Sequence, residues 1–138
     1  MKLEKKKMNF SDDRGTITDI FSNEPREHCT IISSKKGSVR GNHFHKHTLQ
    51  SDFMVSGKMK ILYSKQDESE VHEQTVETND FMQWEPGEAH EFIAVEDLIF
   101  VTFHNGPRGG ENYESDTFRL KIPLHEQKEK KITDWSVQ

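Results

Sequence analysis

Cysteine is almost absent. Cys29 is the only one in 138 residues, which excludes an internal disulfide framework and a zinc site built from thiolates. Apolar residues make up 31% and charged residues another 31%, and no run approaches the roughly 20 apolar residues that span a bilayer. The basic start, Met1 to Phe10, has no apolar stretch behind it, so the sequence predicts a chain without a signal peptide. A single thiol fits a reducing cytoplasm. Basic charge is also scarce: the net charge is -5, which argues against nucleic acid as the partner. The lysines that are present crowd the two ends (Lys2, Lys5, Lys6, Lys7 and Lys128, Lys130, Lys131) and read as solvated tails.

What is present is aromatic and periodic. Nine phenylalanines and two tryptophans are too many for a disordered chain. In Lys58-Met-Lys-Ile-Leu-Tyr63, residues 59, 61 and 63 share one face and the lysines take the other, a period of two. Similar runs are Thr16–Phe21, Cys29–Ile32, Phe53–Val55, Val71–Val76, Phe81–Trp84, Glu91–Val95 and Leu98–Phe103. Turn residues separate them, and no window of more than ten residues carries a helical stripe. About eight short strands predict one all-β domain, a sandwich or barrel. The barrel is expected over about 10–120. The charged segment 121–138 is expected to be a tail, or to pack through Trp135 on the barrel or on a second subunit.

Histidine carries the chemistry. In Gly37-Ser-Val-Arg-Gly-Asn-His43-Phe-His45 the two imidazoles project from one face of a strand. Two such groups serve either as metal ligands or as a proton-transferring pair. His90 follows the Pro86-Gly87 turn, where a third imidazole can join them. His47 falls where the strand turns. His28, His72, His104 and His125 have no partners by spacing and are expected on the surface.

These positions resemble the cupin superfamily. Gly37, His43, His45, Gln50 and Gly57 fall in the register of its first motif, and Gly87 and His90 in that of its second. Gln50 stands where metal-binding cupins place a glutamate, and an amide is the weaker ligand for a divalent cation. A narrower resemblance is to the dTDP-sugar 3,4-ketoisomerases. It rests on Asp12-Asp13-Arg14-Gly15, on Arg40-Gly-Asn-His-Phe-His-Lys46 with Gln50, on Ala89-His90-Glu91-Phe92, and on Glu114-Ser-Asp-Thr-Phe-Arg119. Two features depart from that pattern: no tyrosine lies in His28–Ile32, and Ala89 replaces a tryptophan.

The resemblance implies a double-stranded β-helix jelly roll and metal-free isomerisation of a nucleotide-linked 4-keto-6-deoxy sugar. It also implies a homodimer and a place in polysaccharide synthesis. His43 and His45 are then the acid–base pair, since an imidazole suits both roles near neutral pH. Gln50 or His90 would steady the enediolate oxygen. Arg14 and Arg40 would hold the diphosphate, with Arg14 reaching a neighbouring subunit, and Arg108 is a further phosphate candidate. Three alternatives stay open: a 3- or 5-epimerase using the same base, a catalytically silent sugar-binding cupin, and a metal cupin of oxygenase or lyase type. In the last, His43, His45, His90 and Gln50 would hold zinc, iron or nickel.

Overall fold

A computed structural model describes residues 1–138. Twelve strands follow in order: β1 (Lys2–Lys5), β2 (Phe10–Asp12), β3 (Gly15–Ile17), β4 (His28–Ser34), β5 (Val39–Phe44), β6 (Leu49–Ser56), β7 (Lys58–Lys65), β8 (His72–Glu77), β9 (Asp80–Trp84), β10 (Glu88–Ala94), β11 (Leu98–Asn105) and β12 (Phe118–Arg119). One helix, α1 (Leu124–Lys130), closes the chain. Two antiparallel five-stranded sheets, ordered β1-β9-β6-β11-β4 and β12-β5-β10-β7-β8, face each other as a jelly roll. No helix is long and apolar enough to cross a membrane.

Alternation along three strands divides the interior. On β11 the inward residues run Leu98, Phe100, Thr102, His104; on β10 they run Ala94, Phe92, His90; on β6 they run Met54, Asp52, Gln50. Phe100 pairs with Met54 and His104 with Gln50, so one end is apolar and the other polar. Met54, Met59, Ile61, Met82, Trp84, Phe92, Leu98 and Phe100 belong to the main core. The outer face of β6 is sealed differently. Ile20 and Phe21 lie over Phe53, Phe81 and Phe103, so the apolar run Thr16–Phe21 is not one strand but a three-residue strand followed by a cover.

Both ends of the chain depart from solvated tails. Lys2–Lys5 is a strand that pairs with β9; Leu3 packs on the core while Lys5 meets Asp80 at 3.0 Å. At the other end Leu124 and Gln127 of α1 are buried, and Trp135 packs against Phe44 with ring centroids 4.9 Å apart. The first amides of α1 lack intrahelical acceptors. Asn42 Oδ1 takes the Leu124 N–H and Glu91 Oε2 the His125 N–H, both at 2.8 Å. Packing of Trp135 on the barrel is one of the outcomes expected for the C-terminal segment; lysine-rich composition masked the strand and the helix, because the few apolar residues in each segment do the packing.

Candidate active site

The polar end of the barrel holds a cavity of about 370 Å³. Its wall includes His43, Gln50, His90, Thr102, His104 and Arg108, with Arg40 and Arg119 also lining it. The strand–strand register explains the meeting of the histidines. His90 on β10 pairs with His43 on β5, and the ladder slips between His90 and Glu91. Gly41 makes that slip possible: its φ is 88°, and a Cβ there would lie 2.6 Å from the His90 carbonyl oxygen. A β-bulge of this kind re-aims side chains.

His43 and His45 do share a face, with rings 4.9 Å apart. His90 stands 4.8 Å from His43 and 5.6 Å from His45. One ring nitrogen from each of the three lies within 4.8 Å of the others. The three nonetheless differ in surroundings. His45, immediately behind the cavity wall, donates from Nδ1 to the Asp116 carbonyl at 2.8 Å, and its Nε2 is 3.1 Å from the Gln50 side-chain oxygen. His43 Nδ1 and both nitrogens of His90 are buried without a partner.

Burial sets the charge of this cluster. It pushes His43 down to about 3, helped by the neighbouring His45, and lowers His90 strongly with the same kind of help from His43. His45 is also lowered by burial, but its hydrogen bond to the Asp116 carbonyl pulls the other way. His45 is therefore the member of the pair that holds a proton more readily. Asp116 is itself anchored: burial raises its carboxyl, but the N–H of His47, the Thr48 hydroxyl and further amides outweigh that.

Beneath the cavity floor lies Asp52, fully buried. The Gln50 amide nitrogen donates toward both Asp52 oxygens, at 3.1 and 2.9 Å, and the Trp84 indole donates at 2.7 Å. Burial still pushes Asp52 up to about 6, against the donors that face it. Gln50 thus joins His45 to a buried carboxyl.

The other expected residues scatter. Arg40 reaches the cavity, its guanidinium held by Ser34 Oγ at 2.8 Å and the Ser33 carbonyl at 2.9 Å. Arg14 sits at the tip of the β2–β3 hairpin, paired with Asp12 at 2.7 Å, and does not line the cavity of its own chain. Arg108 lines it, with Nη1 3.3 Å from His104 Nδ1. His47 is exposed on its turn, while His72 pairs with Glu68 at 3.1 Å and His125 caps its own helix through Glu91.

One expectation fails outright. His104, assigned to the surface, is 1% exposed and lies 6.1 Å from His45, ring to ring. The alternation Leu98, Phe100, Thr102, carried one step further, points to this inward position. Asp52, Thr102 and Arg119 also belong to this end of the barrel without a spacing signal of their own. Arg119 closes the Glu114–Arg119 stretch, and Asp52 shares the parity of Gln50.

A family model described as the polysaccharide biosynthesis C-terminal domain matches residues 10–118. The chain belongs to that family. Among solved structures it is similar to the capsular polysaccharide assembling protein CapF of Staphylococcus aureus: 25% identity, TM-score 0.63, covering 85% of this chain and 33% of that one. The chain therefore spans about a third of CapF. A QdtA 3,4-ketoisomerase variant from Thermoanaerobacterium thermosaccharolyticum, in complex with TDP, matches at 24% identity and TM-score 0.66, covering 86% of each chain. A dTDP-4-dehydrorhamnose 3,5-epimerase from Sulfolobus tokodaii matches at 19% identity and TM-score 0.67, over 80% of this chain and 72% of that one. These likenesses establish the cupin jelly-roll fold. A search of curated protein sequences returns no match.

Proposed function

We propose that this chain is a nucleotide-sugar isomerase. In this reading it moves the ketone of a dTDP-linked 4-keto-6-deoxyhexose from C4 to C3 by histidine acid–base chemistry. The observation that carries the reading is the packing of His43, His45 and His90 at the polar end of the barrel, with one nitrogen from each within 4.8 Å. His43, held neutral by burial, removes the C3 proton. His45, the more readily protonated partner, supplies the proton that forms the C4–H bond by turning its Nε2 from Gln50 to the cavity. The O3 proton passes to O4, so C3 is oxidised and C4 reduced within one molecule. Arg40 and Arg119, exposed on the solvent side of the cavity, hold the diphosphate.

The same base in an epimerase would return the proton to C3 or C5 from the opposite face. A ketoisomerase and an epimerase both share this chain's fold, and the product distinguishes the reactions. A metal-bound form is the second reading. It is favoured by the three clustered imidazoles and by the unpartnered nitrogens of His43 and His90. His43, His45 and His90 would hold the ion, with Gln50 beside them, and it would polarise the sugar carbonyl.

We further propose a cytoplasmic homodimer. All six residues of β2 and β3 are exposed, Phe10 and Ile17 among them, and the edge strand β4 exposes Ile31. Pairing of these elements between two copies would cover the apolar residues and bring Arg14 to the partner's cavity. Light scattering tests this, with a 16 kDa particle as the contrary result.

The activity is tested by proton NMR in D2O with a dTDP-4-keto-6-deoxyhexose and a strong chelator. Loss of the C3 proton with growth of a 3-keto product supports the isomerase. Exchange with the ketone retained at C4 supports the epimerase. Exchange that appears only on adding zinc, iron or nickel supports the metal reading.

A further inference from the structure

The enediolate of such a reaction needs a hydrogen-bond donor aimed at its oxygen. Gln50, expected for this task, is oriented by the protein: its amide nitrogen meets both oxygens of the Asp52 carboxyl, at 3.1 and 2.9 Å. Its side-chain oxygen faces His45. Asp52 and His45 thus fix the Gln50 amide, and the cavity calls for a donor whose N–H is free to meet a substrate.

His104 has one. It lines the cavity, is 1% exposed, and lies with Nδ1 3.3 Å from Arg108 Nη1. A guanidinium carries only donors. Nδ1 must then supply the lone pair, and the proton of the neutral ring sits on Nε2. That Nε2 is buried and meets no acceptor in the protein. A buried N–H without a partner is costly and uncommon, and a ligand oxygen in the cavity would satisfy it.

We propose that His104 is a further catalytic residue, a neutral imidazole locked by Arg108 as its Nε2–H tautomer, which donates to the oxyanion of the enediolate. Arg108 is the positioning residue that selects the tautomer. Burial and the neighbouring Arg108 charge both act against a second proton on this ring, holding it down to about 3. The donor is consequently uncharged and constant in direction, so it need not reorganise as the oxyanion forms. This inference rests on the isomerase reading, and its test separates the two.

Nitrogen-15 NMR of the full chain, metal-free at neutral pH, reads the tautomer directly. A protonated Nε2 with a bare Nδ1 is expected for His104, and a proton on Nδ1 overturns the proposal. In the D2O assay, His104→Leu is expected to slow C3 exchange by about 10²–10³-fold with little change in KM. His104→Gln, which restores an N–H, is expected to recover the rate to within about tenfold of wild type, on the same donor argument. Undiminished exchange in His104→Leu overturns the role of His104 alone. Absence of exchange in the wild type overturns the isomerase reading together with that role. Arg108→Met serves where the leucine variant fails to fold: a mixed tautomer and slower exchange are expected, and an unchanged tautomer overturns the lock.

Discussion

The two ends of the barrel interior are built on the same strands yet behave as different materials. At one end Met54, Met59, Ile61 and Leu98 pack with almost no exposure, and none of these side chains carries a charge. At the other, two to four residues further along the same strands, Gln50, Asp52, His90 and His104 are equally buried. The apolar end gains stability from every atom it hides. The polar end gives up stability to keep imidazoles and a carboxyl away from water, and two of its imidazole nitrogens on His90 have no partner at all. The contrast shows where the fold is held and where it is prepared for a ligand.

Substitution at each end should separate these roles. The largest effect is expected from His43→Asn, which removes the proposed base: C3 exchange should fall by about 10²–10⁴-fold, measured by NMR in D2O, while the melting temperature holds. Ile61→Ala at the apolar end, away from the cavity lining, should do the reverse. It should cost about 2–5 kcal/mol of stability, read from urea denaturation, with the rate per folded molecule little changed. A large rate loss in Ile61→Ala would blur the division between the two ends.

Acid should weaken the polar end selectively. His43 and His104 are held near 3 by burial, whereas an unfolded chain titrates near 6.5. The unfolded state therefore takes up protons first, and stability is complete above about 6.5 and lost as the pH falls toward 3. Asp52, pushed up to about 6 by burial, works in the opposite sense: its contribution is present below about 3.9 and lost as the pH rises through 6. Urea midpoints at pH 7.5, 6.0 and 5.0 should fall in that order, and His43→Asn should flatten the trend. The smallest effect is expected outside the barrel. Breaking the exposed Lys65–Glu85 pair, 3.2 Å apart, should leave the urea midpoint almost unchanged, because water screens it.

Much of the site was legible because β-strand parity is local. Residues 43 and 45 share a face whatever the rest of the chain does, and His90 was flagged by the turn that precedes it. The residues that escaped notice lacked a local signal. His104 ends its strand in a loop-like stretch, His-Asn-Gly-Pro, and without its sheet neighbours looked exposed. Asp52 reads as an ordinary charged residue until Gln50 and Trp84 are seen to close over it. Arg14 was expected to face the ligand, and within one chain it stays at a hairpin tip.

Period-two patterning, turn residues and histidine spacing by themselves determined an all-β barrel with an imidazole pair on one face, because those features depend only on neighbours along the chain. Tertiary structure decided which imidazoles are buried together and which nitrogen of each is free. It also decided that lysine-rich ends pack as a strand and a helix. These outcomes depend on sheet order, on the bulge at Gly41 and on burial. Each is set by residues distant in sequence, whose partners only the folded chain brings within reach.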